Sequence, residues 1–394
     1  MSAGNSALIK DLAPEGGVEL FARFPPEART YAKNLVQEWQ DHLTHLERFK
    51  STTVQGYMGN LSRLLRSSGV LPWELRRKHV VGCLKQSKGP DGMPASAQTV
   101  SSYCSAWRSF QSFMLDQDRV NQIVATFGVR PDTFLDRENG ISVKRVKSNW
   151  VPSQWALTTD HIDKIEAWFI DKIREAKRNH SKALLPLLRD RVMFHLCIHF
   201  SLRISELVTL ELEQFRASHH ERLAHFGDFG TLTVTGKNDV TGTIPMREPL
   251  IHNLLITYLK KVRPSLLARA KLKPDAPTVV TFNDRTLLVS QLVFVTERGG
   301  LVKPNTFRDR LKQICREVML PKKITPHTLR HTGCTLMAPI YSPEVAQRYM
   351  RHRHLPTTMH YYHSEPLNAG NHLSPIYGLT LPGDEDDFDE EGMP

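Results

Sequence analysis

Cysteine is scarce in this chain. Five lie among 394 residues, at positions 83, 104, 197, 315 and 334, and no pair has C-x-x-C spacing. A disulfide framework and a cysteine-based zinc site are therefore not expected, and a reducing compartment is. Long apolar runs are missing too. Nothing approaches the ~20 residues that span a bilayer, and residues 1–11 lack the apolar core of a secretory signal. The expectation is a protein that neither crosses a membrane nor is secreted. No repeat recurs at periods of 20–50 residues, which argues against solenoids and propellers. Acid is in deficit as well: Lys and Arg total 52 against 41 Asp and Glu, a net +11. Seven of those acids crowd into residues 384–391, so the remainder of the chain carries +18. Such an excess favours a polyanionic partner, of which nucleic acid is the usual one. A hydrophobic fraction of 40% is enough for a buried core, and the length suits two domains.

Residues 1–27, with Pro14, Gly16, Gly17, Pro25 and Pro26 and little periodicity, read as a loose N-terminal arm. Tyr31, Leu35, Trp39, Leu43 and Leu46 then recur at helical spacing. Ser51, Thr52 and Thr53 offer a cap for a second helix through Tyr57, Leu61 and Leu65, which Gly69 ends. Val100, Cys104, Trp107, Phe110 and Met114 form another apolar stripe, read as core. Residues 28–135 are thus predicted to be an all-helical domain, with a polar, basic linker over 136–156. A second domain is expected over 157–380. Its first helix is capped by Thr158 or Thr159, another runs from about 185 to 200, and residues 231–235 and 243–246 flank a hairpin turn. Helices are expected again at 250–262 and 306–318. Residues 381–394 are predicted to be an acidic, disordered tail with a solubilising role.

Four segments carry chemistry. They are Ser201-Leu-Arg-Ile-Ser-Glu-Leu207, Lys237 in the hairpin turn, Thr325-Pro-His-Thr-Leu-Arg-His-Thr332, and His352-Arg-His-Leu-Pro-Thr-Thr-Met-His-Tyr-Tyr-His363. Taken singly each is ordinary. Arg203 can pair with Glu206 one turn on, and His327 and Arg330 can cap or bridge a helix. A zinc reading rests on His327 and His331, four apart on a predicted helix with further histidines at 352, 354, 360 and 363. Carboxylates are few there, and Arg330, Arg348, Arg351 and Arg353 repel a cation, so no metal is expected. His219, His220 and His225 lie in a polar stretch read as surface. Lys144, Arg145 and Lys147 in the linker, and Arg308, Arg310, Lys312 and Arg316 on the 306–318 helix, are candidate contacts to a nucleic-acid backbone.

Together, in this order and spacing, the four segments closely resemble the tyrosine recombinase (phage integrase) family. Its pattern is an arginine in L-R-x-x-E-L, a lysine in a β-hairpin, an H-x-x-R-H segment, and a histidine nine residues before a nucleophilic tyrosine. Here these fall on Arg203, Lys237, His327 with Arg330, His352 and Tyr361. The resemblance covers residues 158–363, with 28–135 similar to the family's core-binding domain. Two departures stand out. Arg351 replaces the glycine usual before the last histidine, and Val240 and Gly242 replace basic residues further round the hairpin.

The resemblance implies a mainly α fold with a small β-sheet and hairpin. A helical core-binding domain and a mixed α/β catalytic domain would close on duplex DNA as a C-shaped clamp. It implies that Tyr361 cuts DNA through a 3′-phosphotyrosyl link, which conserves the bond energy and needs no cofactor. In that scheme Arg203 and Arg330 grip the scissile phosphate, His327 assists proton transfer, Lys237 is the general acid, His352 bonds the phosphate, and Glu206 orients the basic site from behind. The implied activity is site-specific recombination, the integration or excision of a mobile element, by a homotetramer on two double-stranded DNA sites, with accessory DNA-bending or directionality proteins. The enzyme would be cytoplasmic and nucleoid-associated, with no membrane contact. Other uses of such residues are a type IB topoisomerase, a hairpin telomere resolvase, or a non-catalytic DNA-binding regulator.

Overall fold

The structure is a computed structural model that describes residues 20–89, 92–135, 155–236, 240–270, 278–359 and 361. Lys144, Arg145, Lys147 and Lys237 lie outside the described residues, as do most of the expected arm, the expected linker as far as residue 154, and the acidic tail. The chain divides into two compact units, with the boundary between residues 149 and 150. Among the described residues it is mostly helical, with two small antiparallel sheets.

The first unit contains α1 (Pro26–Asp41), α2 (Ser51–Ser68), α3 (Arg77–Gln86), α4 (Ala97–Met114) and α5 (Gln117–Phe127). Its core gathers the apolar stripes. Trp39 packs edge-on against Phe110, and the Trp107 indole donates to the Asn60 carbonyl at 2.9 Å, so a buried polar edge is satisfied. α2 stops at Gly69, whose left-handed backbone returns its N–H to Leu65 O. Lys50, not a hydroxyl residue, occupies the N-cap of α2, and no side chain caps that end. The stripe through Leu46 also breaks. After Asp41 the helix widens into a π segment, His42–Leu46, which turns Leu46 out to 74% exposure while Leu43 stays buried.

The second unit opens with α6 (Thr159–Arg178). Thr158 caps it, accepting from the His161 N–H at 3.3 Å, while the His161 ring accepts the Thr158 N–H at 3.2 Å. α7 (Leu184–His199) is buried on nearly every side and forms the centre of the unit. Its charged groups are paired inside. Arg191 and His195 bond Glu166, whose carboxyl burial alone would raise; His195 and Arg191 outweigh that and hold it near 2.

Around α7 lie α8 (Ile204–Val208), α9 (Pro249–Thr257), α10 (Arg263–Arg269), α11 (Pro304–Glu317), α12 (Pro326–Met337), α13 (Pro343–Met350) and α14 (Leu355–Met359). The hairpin is present as β2 (Thr231–Thr235) and β3 (Thr241–Pro245), paired Thr231 to Pro245 and Thr235 to Thr241. Leu232, Val234 and Ile244 face the core, and threonine pairs Thr233–Thr243 and Thr235–Thr241 line the outer face at 2.8 Å. A short strand β1 (Phe215–Arg216) adds to β2, and a second hairpin joins β4 (Val279–Phe282) to β5 (Arg285–Leu288). Sequence periodicity pointed to neither, because two- and four-residue strands are too short to alternate legibly. Among the described residues no helix is long and apolar enough to cross a membrane.

Candidate active site

Two helix ends, the start of another helix and the hairpin converge on one carboxylate. Arg203 is the N-cap of α8, and Glu206, at the third position, accepts its backbone N–H at 2.8 Å. The same carboxylate takes the Arg203 guanidinium at 2.6 Å. Arg203 keeps 28% of its side chain exposed, while Glu206 keeps 5%. Arg330, on α12, is almost wholly buried; it donates to Ser201 O and Met350 O and lies 3.8 Å from Glu206. Ser201 follows the end of α7 in a left-handed conformation (φ 48°), which presents its carbonyl to the arginines. Burial pushes the Glu206 carboxyl up, but Arg351, Arg330 and Arg203 outweigh it and hold it ionised below its ordinary range.

The hairpin reaches the same place. A Cβ on Gly236 would stand 2.5 Å from Arg203 Nη1 and 3.0 Å from Glu206 Oε1, so the residue preceding Lys237 abuts the arginine.

Histidines and the tyrosine occupy the other side. The Tyr361 hydroxyl lies 2.6 Å from His331 Nδ1, and His331 Nε2 lies 2.9 Å from His327 Nε2. The three groups make one continuous hydrogen-bonded row, Tyr361–His331–His327. His352 stacks on the Tyr361 ring, 6.0 Å between centroids at 13°, and its Nδ1 is 3.1 Å from Thr358 Oγ1. Burial, then the nearby arginines, lowers His352 to about 3. Burial, then His327 and Arg330, lowers His331 to about 4, and His327 is lowered by burial and Arg330. Burial and the Cys334 thiol push the Tyr361 phenol up. All three imidazoles are thus neutral at neutral pH, and the phenol keeps its proton.

The structure therefore brings together Arg203, Glu206, His327, Arg330, His352 and Tyr361. It adds two residues that the catalytic set above leaves out, His331 and Arg351. The spacing of His331, one turn after His327, was the available signal for the first. His327 and His331 bond one another, and among the described residues no group of three or more His, Cys, Asp or Glu is placed to hold a metal. Arg310 departs from its expected place as a backbone contact. Its guanidinium turns inward to Asp190 at 2.9 Å and to Gln313 at 2.7 Å, because the buried Asp190 needs a second cation beside Arg189. Arg308 and Lys312 stay exposed, bonded to Asn305 and Asp309. His219, His220 and His225 are exposed, with His220 capping and His225 within a 3-10 segment, Glu221–Phe229.

Comparison with known proteins places the chain. The phage integrase family profile matches residues 172–367. The chain is 26% identical over 353 residues to the tyrosine recombinase XerC of Alcanivorax borkumensis, covering 89% of this chain and 95% of that protein. It is 30% identical over 196 residues to the tyrosine recombinase XerD of Lacticaseibacillus casei, covering 50% and 56% respectively. Among solved structures, the XerH site-specific recombinase bound to its palindromic difH substrate in a post-cleavage complex matches the fold. The TM-score is 0.53 at 16% identity, with 86% of each chain covered. The same recombinase in its pre-cleavage complex matches at 0.50, with 14% identity over 87% of each chain. Fold and sequence together define an enzyme of the site-specific recombinase class. The chain belongs to the phage integrase family of tyrosine recombinases.

Proposed function

We propose that this recombinase cuts and rejoins double-stranded DNA through Tyr361, and that its biological task is the integration or excision of a mobile element. The observation that carries the reading is the row Tyr361–His331–His327 set beside Arg203 and Arg330. Attack by the Tyr361 oxygen on the scissile phosphorus breaks the bond to the 5′ oxygen. The phenol proton passes to His331 Nδ1 as the Nε2 proton of His331 passes to His327 Nε2. Lys237 supplies a proton to the departing 5′ oxygen, which leaves as a hydroxyl. Arg203 and Arg330 hold the non-bridging oxygens, on which negative charge grows, and His352 adds a further hydrogen bond. A 5′ hydroxyl from a second strand then attacks the 3′-phosphotyrosyl link and reverses each proton transfer. A tetramer on two sites performs the exchange twice. Residues 28–135 grip the duplex, with Lys144, Arg145, Lys147, Arg308 and Lys312 meeting its phosphates, and the enzyme works in the DNA-bearing compartment of its cell, with accessory proteins setting direction.

Covalent capture tests this. Wild type and Tyr361→Phe are expressed in the source cell, denatured rapidly, and the DNA still bound to protein is sequenced. Adducts at one or a few sites, absent from Tyr361→Phe, are expected. Dispersed Tyr361-dependent adducts would instead indicate a topoisomerase. Equal background from both proteins, with DNA binding intact, would indicate a regulator.

A further inference from the structure

We infer that Arg351 is a positioning residue that fixes both phosphate-gripping arginines through Glu206 and the Ser201 carbonyl. The inference rests on the active-site reading above and extends it to a residue that never meets DNA.

Arg351 caps α13 in a left-handed conformation, φ 55° and ψ 45°, where a side chain is unusual. That side chain is buried entirely. Its Nη2 donates to Glu206 Oε2 at 3.0 Å and to Ser201 O at 2.7 Å, and its Nη1 donates to Tyr349 O at 2.7 Å. Arg330 donates to the same Ser201 carbonyl and faces the same Glu206 oxygen. The Arg351 carbonyl accepts from Arg203 Nη2 at 3.4 Å. One residue therefore touches both arginines' anchors, by its backbone on one side and its guanidinium on the other.

Room for it comes from a second departure in the sequence. A Cβ on Gly242, in β3, would stand 2.9 Å from Arg351 Cγ and 2.4 Å from Arg348 O. The arginine in place of a glycine and the glycine in place of a basic residue meet at one contact. The physical effect is on Glu206. One carboxylate faces three guanidiniums, and Arg351 occupies Oε2 from the buried side. With the Arg203 N–H and Arg351 both on Oε2, that oxygen has no free lone pair with which to draw Arg330 away from an incoming phosphate. Burial pulls Arg351 down to about 10, which leaves it charged at neutral pH.

The test uses the full-length protein and a synthetic duplex bearing the site recovered from the Tyr361 adducts, nicked beside the scissile phosphate so that the adduct is trapped. Arg351→Gly and Arg351→Lys are compared with wild type. Adduct formation by Arg351→Gly at saturating duplex is expected to slow roughly 10- to 100-fold, the usual cost of removing a group that orients a site. Affinity for the duplex, measured in a Tyr361→Phe background, is expected to hold. Added guanidinium ion is expected to restore part of the rate, and Arg351→Lys to fall between. Arg351 is the strongest charge holding the Glu206 carboxyl down, so the acid limb of the rate is expected to move to higher pH in Arg351→Gly. A wild-type rate with an unmoved acid limb would overturn the inference. Rate and melting temperature falling together, unrescued by guanidinium, would also overturn it and leave Arg351 a packing residue. No adduct from wild type itself would remove the active-site reading and this inference with it.

Discussion

A buried phenol with a raised pKa is a poor nucleophile until something takes its proton, and the His331 imidazole is a base in contact with it. An imidazole accepts a proton only while neutral. His331, at about 4, is neutral at physiological pH, and burial and Arg330 push His327 the same way. The rate of adduct formation is therefore expected to be flat through neutrality and to fall as pH drops toward 4, where protonation removes the acceptor. His331→Gln is expected to lose about 100-fold or more at pH 7, the usual worth of a positioned base. That loss should shrink toward pH 4, where protonation disables the acceptor in wild type as well. Trapping rates across a pH series decide it, because a loss equal at every pH would leave His331 a packing role. The H-x-x-R-H segment placed this histidine in view of the sequence reading. Its contact with Tyr361 was hidden, because it depends on how a residue thirty positions later folds back.

At the scale of elements, the site depends on how closely α12 lies on α7. Gly333 makes that approach possible, since a Cβ there would stand 2.0 Å from Ile198 O and 2.5 Å from Ser201 Oγ. Ala cannot enter without separating the two helices or moving the Ser201 turn that holds Arg330 and Arg351. Gly333→Ala is expected to cost at least about 1–3 kcal/mol, the range for overpacking a dense interior. Urea denaturation of the two proteins measures it, and an unchanged midpoint would mean that the helices yield freely. Helix positions were legible because α4 and α6 carry clean apolar stripes. The π segment at the end of α1 was not, because widening one turn changes which residues face inward without changing their spacing in sequence.

For the whole molecule, the dominant fact is that each unit has a large core of its own among the described residues. Trp39, Trp107 and Phe110 centre one, while Phe169, Phe194 and Leu311 belong to the other. Each unit buries its own apolar surface, so calorimetry of the full chain is expected to show two transitions. Trp39→Ala empties a large volume in the first core and is expected to cost about 3–5 kcal/mol there. Only one transition should move. A single transition shifted as a unit would show that the two units unfold as one.

The helical first unit, the start of α6 and the hairpin were legible along the chain, and motif spacing singled out six groups that the fold brings together. Periodicity, capping chemistry and motif spacing are local or ordered along the chain, and a reader of one sequence has access to them. Tertiary structure decided the rest. It turned Arg310 inward to Asp190, set His331 against Tyr361, and sealed Arg351 behind Glu206 in space that Gly242 leaves open. Each of these depends on a charge or a hydroxyl finding a partner far away in sequence. Burial makes an unpaired polar group costly enough to dictate where it goes.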